Sequence, residues 1–231
     1  MPKACDEKAP VAALRNVQIL ISLVGHSAID CQYDLIRAIP KTKIQLFVPS
    51  NLAVHYRRQG LGTEPISAKI KVGEAAERLG VPTAVVLTGN FAEFGLDTPT
   101  CEYVAAAFAS IFSTTPTHRL QHRTFSLSEL TPTGDKIAQA LDQRFGATSA
   151  KHTGSIEEVT RRVNAMIEAN DPLALAWYTR KNCGNGDQLR FLGSNMSEME
   201  GYETKSIEDL LVAENSESIG LGRKRLREAL Y

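Results

Sequence analysis

The chain has 231 residues, 43% apolar and 23% charged, with Lys plus Arg and Asp plus Glu both at 26. That is the composition of an ordinary globular protein of one large domain or two small ones, and zero formal charge gives no support for nucleic acid or an anionic membrane as a partner. Cys5, Cys31, Cys101 and Cys183 form no C-x-x-C pair to accompany the two histidines at His-x-x-x-His spacing, His118 and His122, so no metal site and no disulfide framework is expected and a reducing, cytoplasmic setting fits.

The first ten residues, "MPKACDEKAP", are charged and have no apolar core, so they do not read as a secretory signal. Val17–Val24 ("VQILISLV") is the longest apolar stretch; Gln18 and Ser22 interrupt it, and it is too short to span a bilayer. Both of its faces are apolar, which predicts a strand covered on two sides, as in a parallel sheet. Ala28–Ile39 follows with Ile29, Leu35, Ile36 and Ile39 near helical spacing, then a second apolar strand, Ile44–Val48, closed by Pro49. A polar loop from Ser50 to Thr63 leads to a helix over Pro65–Leu79, a stop at Gly80 and a strand over Thr83–Leu87. Strand, helix, strand, helix, strand predicts right-handed βαβ units in a parallel sheet.

After Leu96 the rhythm changes. "CEYVAAAFASIFST" predicts an alanine-rich helix, Arg123–Leu127 a strand, and Thr133–Phe145 an amphipathic helix stopped by Gly146. A short strand is expected at Thr148–His152. Ser155 and Glu158 form a capping box for the next helix, and Leu173–Tyr178 and Ile207–Val212 supply further helical segments. Trp177 and Tyr178 read as packing residues, and the basic end, "GLGRKRLREALY", as a solvated terminal helix.

The helix over Pro65–Leu79 carries a puzzle. Lys69 and Lys71 lie near its start, where the macrodipole disfavours cations. Ala68, Val72, Ala75, Ala76 and Leu79 form its apolar stripe, and the two lysines flank that stripe on opposite sides. Either can lie along the sheet with its ammonium at the upper edge; the competing reading is a solvated boundary lysine. Gly73 makes sense if the helix backbone comes close to the sheet. Ligands of open parallel sheets bind beyond the carboxyl ends of the strands, and two such ends here carry Pro49-Ser50-Asn51 and Thr88-Gly89-Asn90-Phe91.

The ordered set Phe47-Val48-Pro49-Ser50, Lys69, Gly80-Val81-Pro82-Thr83 and Gly89-Asn90-Phe91 resembles the NmrA-like family, atypical short-chain dehydrogenases close to isoflavone reductases. "LRNVQILISLVGHSAIDCQYDLIRAI" upstream and "YVAAAFASIF", "FSLSELTPTGDKIAQAL" and "LALAWYTRKNCGNG" downstream extend the likeness over roughly Val11 to Val212. The resemblance implies an α/β fold: an incomplete Rossmann-like parallel sheet flanked by helices over residues 11–128, a small α/β substrate-side subdomain over 129–213, and a tail over 214–231. It implies NAD(P)-dependent reduction of a small organic substrate, with Lys69 as the catalytic or nicotinamide-binding residue. Gly25, Pro49, Ser50, Asn51, Gly89, Asn90 and Phe91 then lie along the cofactor.

The family's opening glycine-rich turn, G-x-x-G-x-x-G, is not found. Gly60 and Gly62 are followed by Pro65 where the third glycine belongs, Gly184 and Gly186 by Leu189, and Gly220 and Gly222 by Arg225. The basic residue that selects the 2′-phosphate of NADP is missing too, so NADP and NAD both stand as cofactors. The chain is expected to begin at what the family uses as its fourth strand. Val17–Val24 then becomes a long, apolar sheet edge. Either a second copy or a protein partner covers it, the chain is only marginally folded, or the sequence is an incomplete gene product. Loss of the phosphate anchor implies weak NAD(P) binding or none.

Two rival functions follow. A non-catalytic NmrA-like regulatory protein senses dinucleotide and binds a partner without turnover. A serine hydrolase instead uses Ser27, because Gly25-His26-Ser27-Ala28-Ile29 nearly matches the G-x-S-x-G elbow; Ile29 stands where the second glycine belongs. The His55-Tyr56-Arg57-Arg58 cluster reads as a solvated loop.

Overall fold

The computed structural model describes residues 8–51, 56, 58–89, 100–146, 148, 154–171, 173–186, 190, 199 and 201–209. In chain order it contains α1 (Lys8–Ala13), β1 (Ile19–Ile21), α2 (Cys31–Ala38), β2 (Leu46–Val48), α3 (Glu64–Arg78) and β3 (Val85–Leu87). These are followed by α4 (Cys101–Thr114), α5 (Thr117–Leu120), β4 (Thr124–Ser126), α6 (Gly134–Phe145), α7 (Ile156–Glu168) and α8 (Ala174–Gly184). The described residues fall into two compact units, one drawn from 1–52, 61–87 and 109–125, the other from 53–60, 88–108 and 126–231.

The first unit holds the sheet. β1 and β2 run parallel, with Ile19 opposite Leu46, Leu20 opposite Phe47 and Ile21 opposite Val48. The ladder continues to the third segment through a parallel bridge between Phe47 and Thr83: the Phe47 N–H donates to the Pro82 carbonyl at 2.8 Å and the Ala84 N–H to the Phe47 carbonyl at 3.0 Å. β3 pairs with β4, where His122 N–H bonds Thr83 O at 2.7 Å and Val85 N–H bonds Arg123 O at 2.9 Å. The bonded residues ascend together in both chains, as parallel pairing requires. Hydrogen bonds thus join the segments around residues 20, 46 and 85 into one layer.

β2 lies in the middle and is buried throughout, as its unbroken apolar run predicts. Phe47 packs with Ile29, Ile36 and Ile39 around α2, with Val72 and Ala76 of α3, and with Val81. β1 departs from expectation. It is three residues long, all of them half-buried, and Leu23 is 68% exposed. Among the described residues β1 has one strand neighbour, β2, so it is an edge, but a short one; backbone bonds along it run only from Gln18 to Ser22. The Ala28–Ile39 helix also divides, into a 3-10 turn at His26–Ala28, α2, and a second 3-10 turn at Ile39–Lys41.

α3 corrects the wheel drawn from sequence. Ile66, Lys69, Val72 and Ala76 occupy the buried face, Ala68 and Ala75 pack beside it, and Lys71 is exposed. Leu79 leaves the stripe, at 50% exposure, because the helix ends at Arg78 and Gly80 (φ +66°) turns the chain away. A Cβ at Gly73 would meet nothing within 4 Å, so no close backbone approach explains that glycine.

The described part of the second unit is largely helical. Tyr178 of α8 is fully buried, stacks on Tyr56 at 6.0 Å between ring centroids, and lies against Gly60. Tyr56 is therefore a packing residue, whereas Arg58 is exposed; His55 and Arg57 lie outside the described residues. Gln59 Nε2 donates to Thr160 O at 3.3 Å and to Asn164 Oδ1 at 2.6 Å, and Lys181 Nζ donates to Gln59 Oε1, tying residue 59 to α7 and α8. Trp177 is half-buried, with Arg162 at 3.8 Å and Arg180 at 5.1 Å from its ring centre. The buried Glu129 carboxylate accepts the Thr100 N–H and hydroxyl, each at 2.8 Å, and the Lys205 N–H at 3.1 Å, so it joins three chain segments. Burial, aided by the Glu102 and Glu129 carboxylates, holds the Tyr202 hydroxyl above its ordinary pKa of 10.0.

Two helix starts, those of α6 and α7, are capped by side chains. Thr133 accepts the Lys136 N–H at 3.3 Å and Ser155 the Glu158 N–H at 3.1 Å. Ser155→Ala is expected to lower stability by about 1 kcal/mol, read as a lower urea midpoint at unchanged slope. Gly146 (φ +61°) ends α6 as expected. The expected strand at Thr148–His152 and the terminal basic helix lie outside the described residues apart from Thr148, which is in neither helix nor strand; of Ile207–Val212, residues 207–209 are helical.

Candidate active site

The site is assembled at the carboxyl ends of β1 and β2. The chain leaves β2 through buried Pro49 and Ser50, and the Asn51 N–H donates back to the Pro49 carbonyl at 2.7 Å, closing a three-residue γ-turn with Ser50 at its centre. Ser50 is fixed twice. Its hydroxyl donates to Val24 O at 2.7 Å, and its N–H donates to Gln32 Oε1 at 2.8 Å. The first bond brings the Val24–Gly25 turn beside the end of β2.

Within this arrangement two buried oxygens have no hydrogen-bond partner: Ser22 Oγ, just beyond β1, and Asn51 Oδ1, just beyond β2. Buried polar atoms are normally paired, and an unpaired one costs about 1–3 kcal/mol. Orphans at the ends of adjacent parallel strands lie where open α/β sheets take their ligands.

Lys69 lies in the same unit. It is 7% exposed, no hydrogen bond or ion pair among the described residues holds its ammonium, and burial pushes its pKa below the ordinary 10.5. α3 connects two parallel strands and so runs against them, which brings its first turns level with their carboxyl ends. Lys69 is five residues past the start of α3, about 7.5 Å along its axis. Of the two lysines read from sequence, only this one is buried.

The other expected residues are placed as follows. Gly25 is exposed, and a Cβ there would meet nothing within 4 Å. Gly89 is half-buried at φ +70° and belongs to the second unit, while Asn90 and Phe91 lie outside the described residues. Ser27 is exposed on a 3-10 turn and its φ is not positive, so the structure gives the hydrolase reading no strained elbow to build on. Among the described residues no group of three or more His, Cys, Asp or Glu side chains is arranged to hold a metal. Cys31 and Cys101 are exposed and Cys183 is half-buried. No helix of the described residues is long and apolar enough to cross a membrane.

Sequence reasoning passed over Ser22 and Gln32, though both left a signal. Ser22 is the polar break at the end of an apolar strand. Gln32 is the amide three residues after Ile29 and four before Ile36, on an otherwise apolar helix face.

The architecture is Rossmann-like, a parallel sheet flanked by helices. It is similar to leucoanthocyanidin reductase from Vitis vinifera in its ternary complex, at TM-score 0.69 and 16% identity, over 90% of this chain and 82% of that one. The NADPH complex of the same enzyme gives TM-score 0.68. Citrobacter sp. triphenylmethane reductase, complexed with NADP(H), gives TM-score 0.59 at 14% identity over 90% of this chain and 80% of that one. Residues 3–102 match the NmrA-like family. Over 96 residues the chain is 31% identical to the isoflavone reductase homologue IRL of Zea mays, an alignment spanning 39% of this chain and 31% of that protein. Over its first hundred residues the chain is thus similar to the NmrA-like family and to an isoflavone reductase homologue.

Proposed function

We propose that this chain is an NAD(P)-dependent oxidoreductase-type protein for a small organic substrate, holding its cofactor weakly and chiefly through the nicotinamide half. The observation that carries the reading is the buried, unpaired ammonium of Lys69 in the unit whose strand ends leave Ser22 Oγ and Asn51 Oδ1 unsatisfied. These groups fit a nicotinamide: the carboxamide offers N–H donors to both orphaned oxygens, and the ribose hydroxyls offer acceptors to an ammonium.

When bound, a nicotinamide supplies or accepts the hydride. The chain's own part is electrostatic. Lys69 places a positive charge in a poorly solvated setting, where it stabilises oxyanion character on a substrate far better than a solvated lysine does. Its lowered pKa also makes the ammonium a better proton donor toward that oxygen. The turn at Pro49–Asn51 supplies fixed polar groups alongside. Since no glycine-rich turn offers its amides to the pyrophosphate, the binding energy of that half of the cofactor is expected to be lost.

Isothermal titration with NADPH and NADH tests the reading. A Kd above about 10 μM is expected for the better of the two. Micromolar or tighter binding overturns the weak-anchor part of the proposal. Saturable binding with no turnover across a panel of small carbonyl and enone substrates supports the sensor reading instead. No binding at millimolar concentration removes both. The further reading that a second copy covers the β1 edge is tested by sedimentation equilibrium of the purified chain, where a dimer supports it and a monomer removes it.

A further inference from the structure

Gln32 is fully buried in α2, an unusual place for an amide, and the reading above gives it no role. Its oxygen faces the Ser50 N–H at 2.8 Å. A backbone N–H can only donate, so chemistry alone fixes which end of the amide points there. The Nε2 end reaches back to the Ile29 carbonyl at 3.5 Å, one turn earlier.

We propose that Gln32 is a positioning residue that sets the strand-end turn Pro49–Asn51, and through it the direction of the Asn51 side chain. The inference rests on the proposed cofactor site for its functional consequence. A γ-turn is a weak element, closed here by one bond from Asn51 N to Pro49 O at 2.7 Å. Its central residue needs outside support, and Ser50 receives it from both sides: the hydroxyl on Val24 O and the N–H on Gln32 Oε1. Gln32 also bonds the Ile29 carbonyl just ahead of its own helix, so the turn after β2 is registered to the helix that follows β1. Without the amide oxygen, the Ser50 N–H becomes a buried orphan donor, and the turn is free to rotate toward water. Asn51 Oδ1 and Ser22 Oγ, the two unsatisfied oxygens at these strand ends, then lose their fixed spacing.

The test compares Gln32→Leu, which removes the acceptor, with Gln32→Glu, which keeps an oxygen at the same reach. Burial raises the carboxyl pKa, and in its neutral form that group accepts from Ser50 N–H and donates to Ile29 O as the amide does. Hydrogen exchange followed by mass spectrometry over the peptide containing Val48–Asn51 is the primary readout. In Gln32→Leu that peptide is expected to exchange at least about tenfold faster than wild type while the peptides of α7 and α8 are unchanged. Gln32→Glu is expected to stay within about threefold of wild type, and closer at pH 5 than at pH 8. NADPH affinity, by the same titration as above, should weaken about tenfold in Gln32→Leu and recover in Gln32→Glu.

Unchanged exchange at Val48–Asn51 in folded Gln32→Leu overturns the proposal, as does a loss of protection spread evenly over the protein. If Gln32→Leu does not fold, Gln32→Asn, one methylene short of Ser50, takes its place with the same criteria. Faster exchange with unaltered NADPH affinity leaves Gln32 a structural residue and refutes the positioning role. If wild type binds no NADPH, the proposed function fails by itself, and the exchange comparison still decides whether Gln32 holds the turn.

Discussion

Lys69→Met is expected to leave a protein that is more stable at neutral pH and at least about a hundredfold slower with any substrate the wild-type chain reduces. The two effects have one cause. Lys69 keeps its charge inside a largely desolvated site with no counter-ion among the described residues, so the ammonium is a cost to folding. Its folded-state pKa lies below 10.5, the ordinary value. Between those two pKa values the unfolded chain binds more protons than the folded one, so stability rises with pH across that window. Below the window the penalty is present in full and constant. Methionine fills a similar volume and carries no charge, so the variant gains most at pH 7, and the gain narrows as pH approaches 10.5. Thermal unfolding from pH 7 to 10.5 reads this directly. A variant less stable than wild type at pH 7 would mean that the ammonium has a partner that stabilises it. Unchanged turnover would remove Lys69 from the chemistry.

Gly60→Ala is expected to destabilise the second unit by about 1–3 kcal/mol, although it adds a single methyl group. A Cβ at residue 60 would lie 2.6 Å from Tyr178 Cε1 and Cζ and 3.0 Å from the hydroxyl oxygen. Tyr178 is fully buried and stacked against Tyr56, so the ring cannot swing aside. The pair therefore couples in a double-mutant cycle: in a Tyr178→Ala background, itself costing about 3–5 kcal/mol, Gly60→Ala should add little. Additive losses in urea denaturation would show that the close approach is relaxed in solution. This contact also explains a glycine that had a different look in sequence. Gly60 and Gly62 resembled a broken phosphate-binding turn; Gly60 opens a short 3-10 turn and admits a tyrosine ring.

Local signals that act over a few residues were legible in the chain. The α4 segment, the Ser155 cap, and the stops at Gly80 and Gly146 all follow from side-chain and backbone preferences that neighbours three or four positions away complete. So was β2, because a strand covered on both faces must be apolar at every position. The Phe47 to Phe91 motif, Lys69 within it, carried the resemblance to the NmrA-like family from its order alone. The fine placement of Lys69 was not legible. A helical wheel drawn from apolar residues put Lys69 and Lys71 symmetrically at the stripe's margins, and only the packing of α3 shows that one is buried and the other exposed.

What the sequence determined by itself, then, was the succession of elements, the parallel α/β class and the residues from which a site can be made, since each rests on periodicity, capping or motif order along the chain. What tertiary structure alone decided was which of those residues meet. Gln32 and Ser50 lie eighteen positions apart and Val24 and Ser50 twenty-six. Gly60 meets Tyr178 across more than a hundred residues. No local preference encodes such contacts; they exist because burying the apolar faces of β2, α2 and α3 fixes the backbone first, and the polar groups caught at its rim must then find partners or remain unsatisfied.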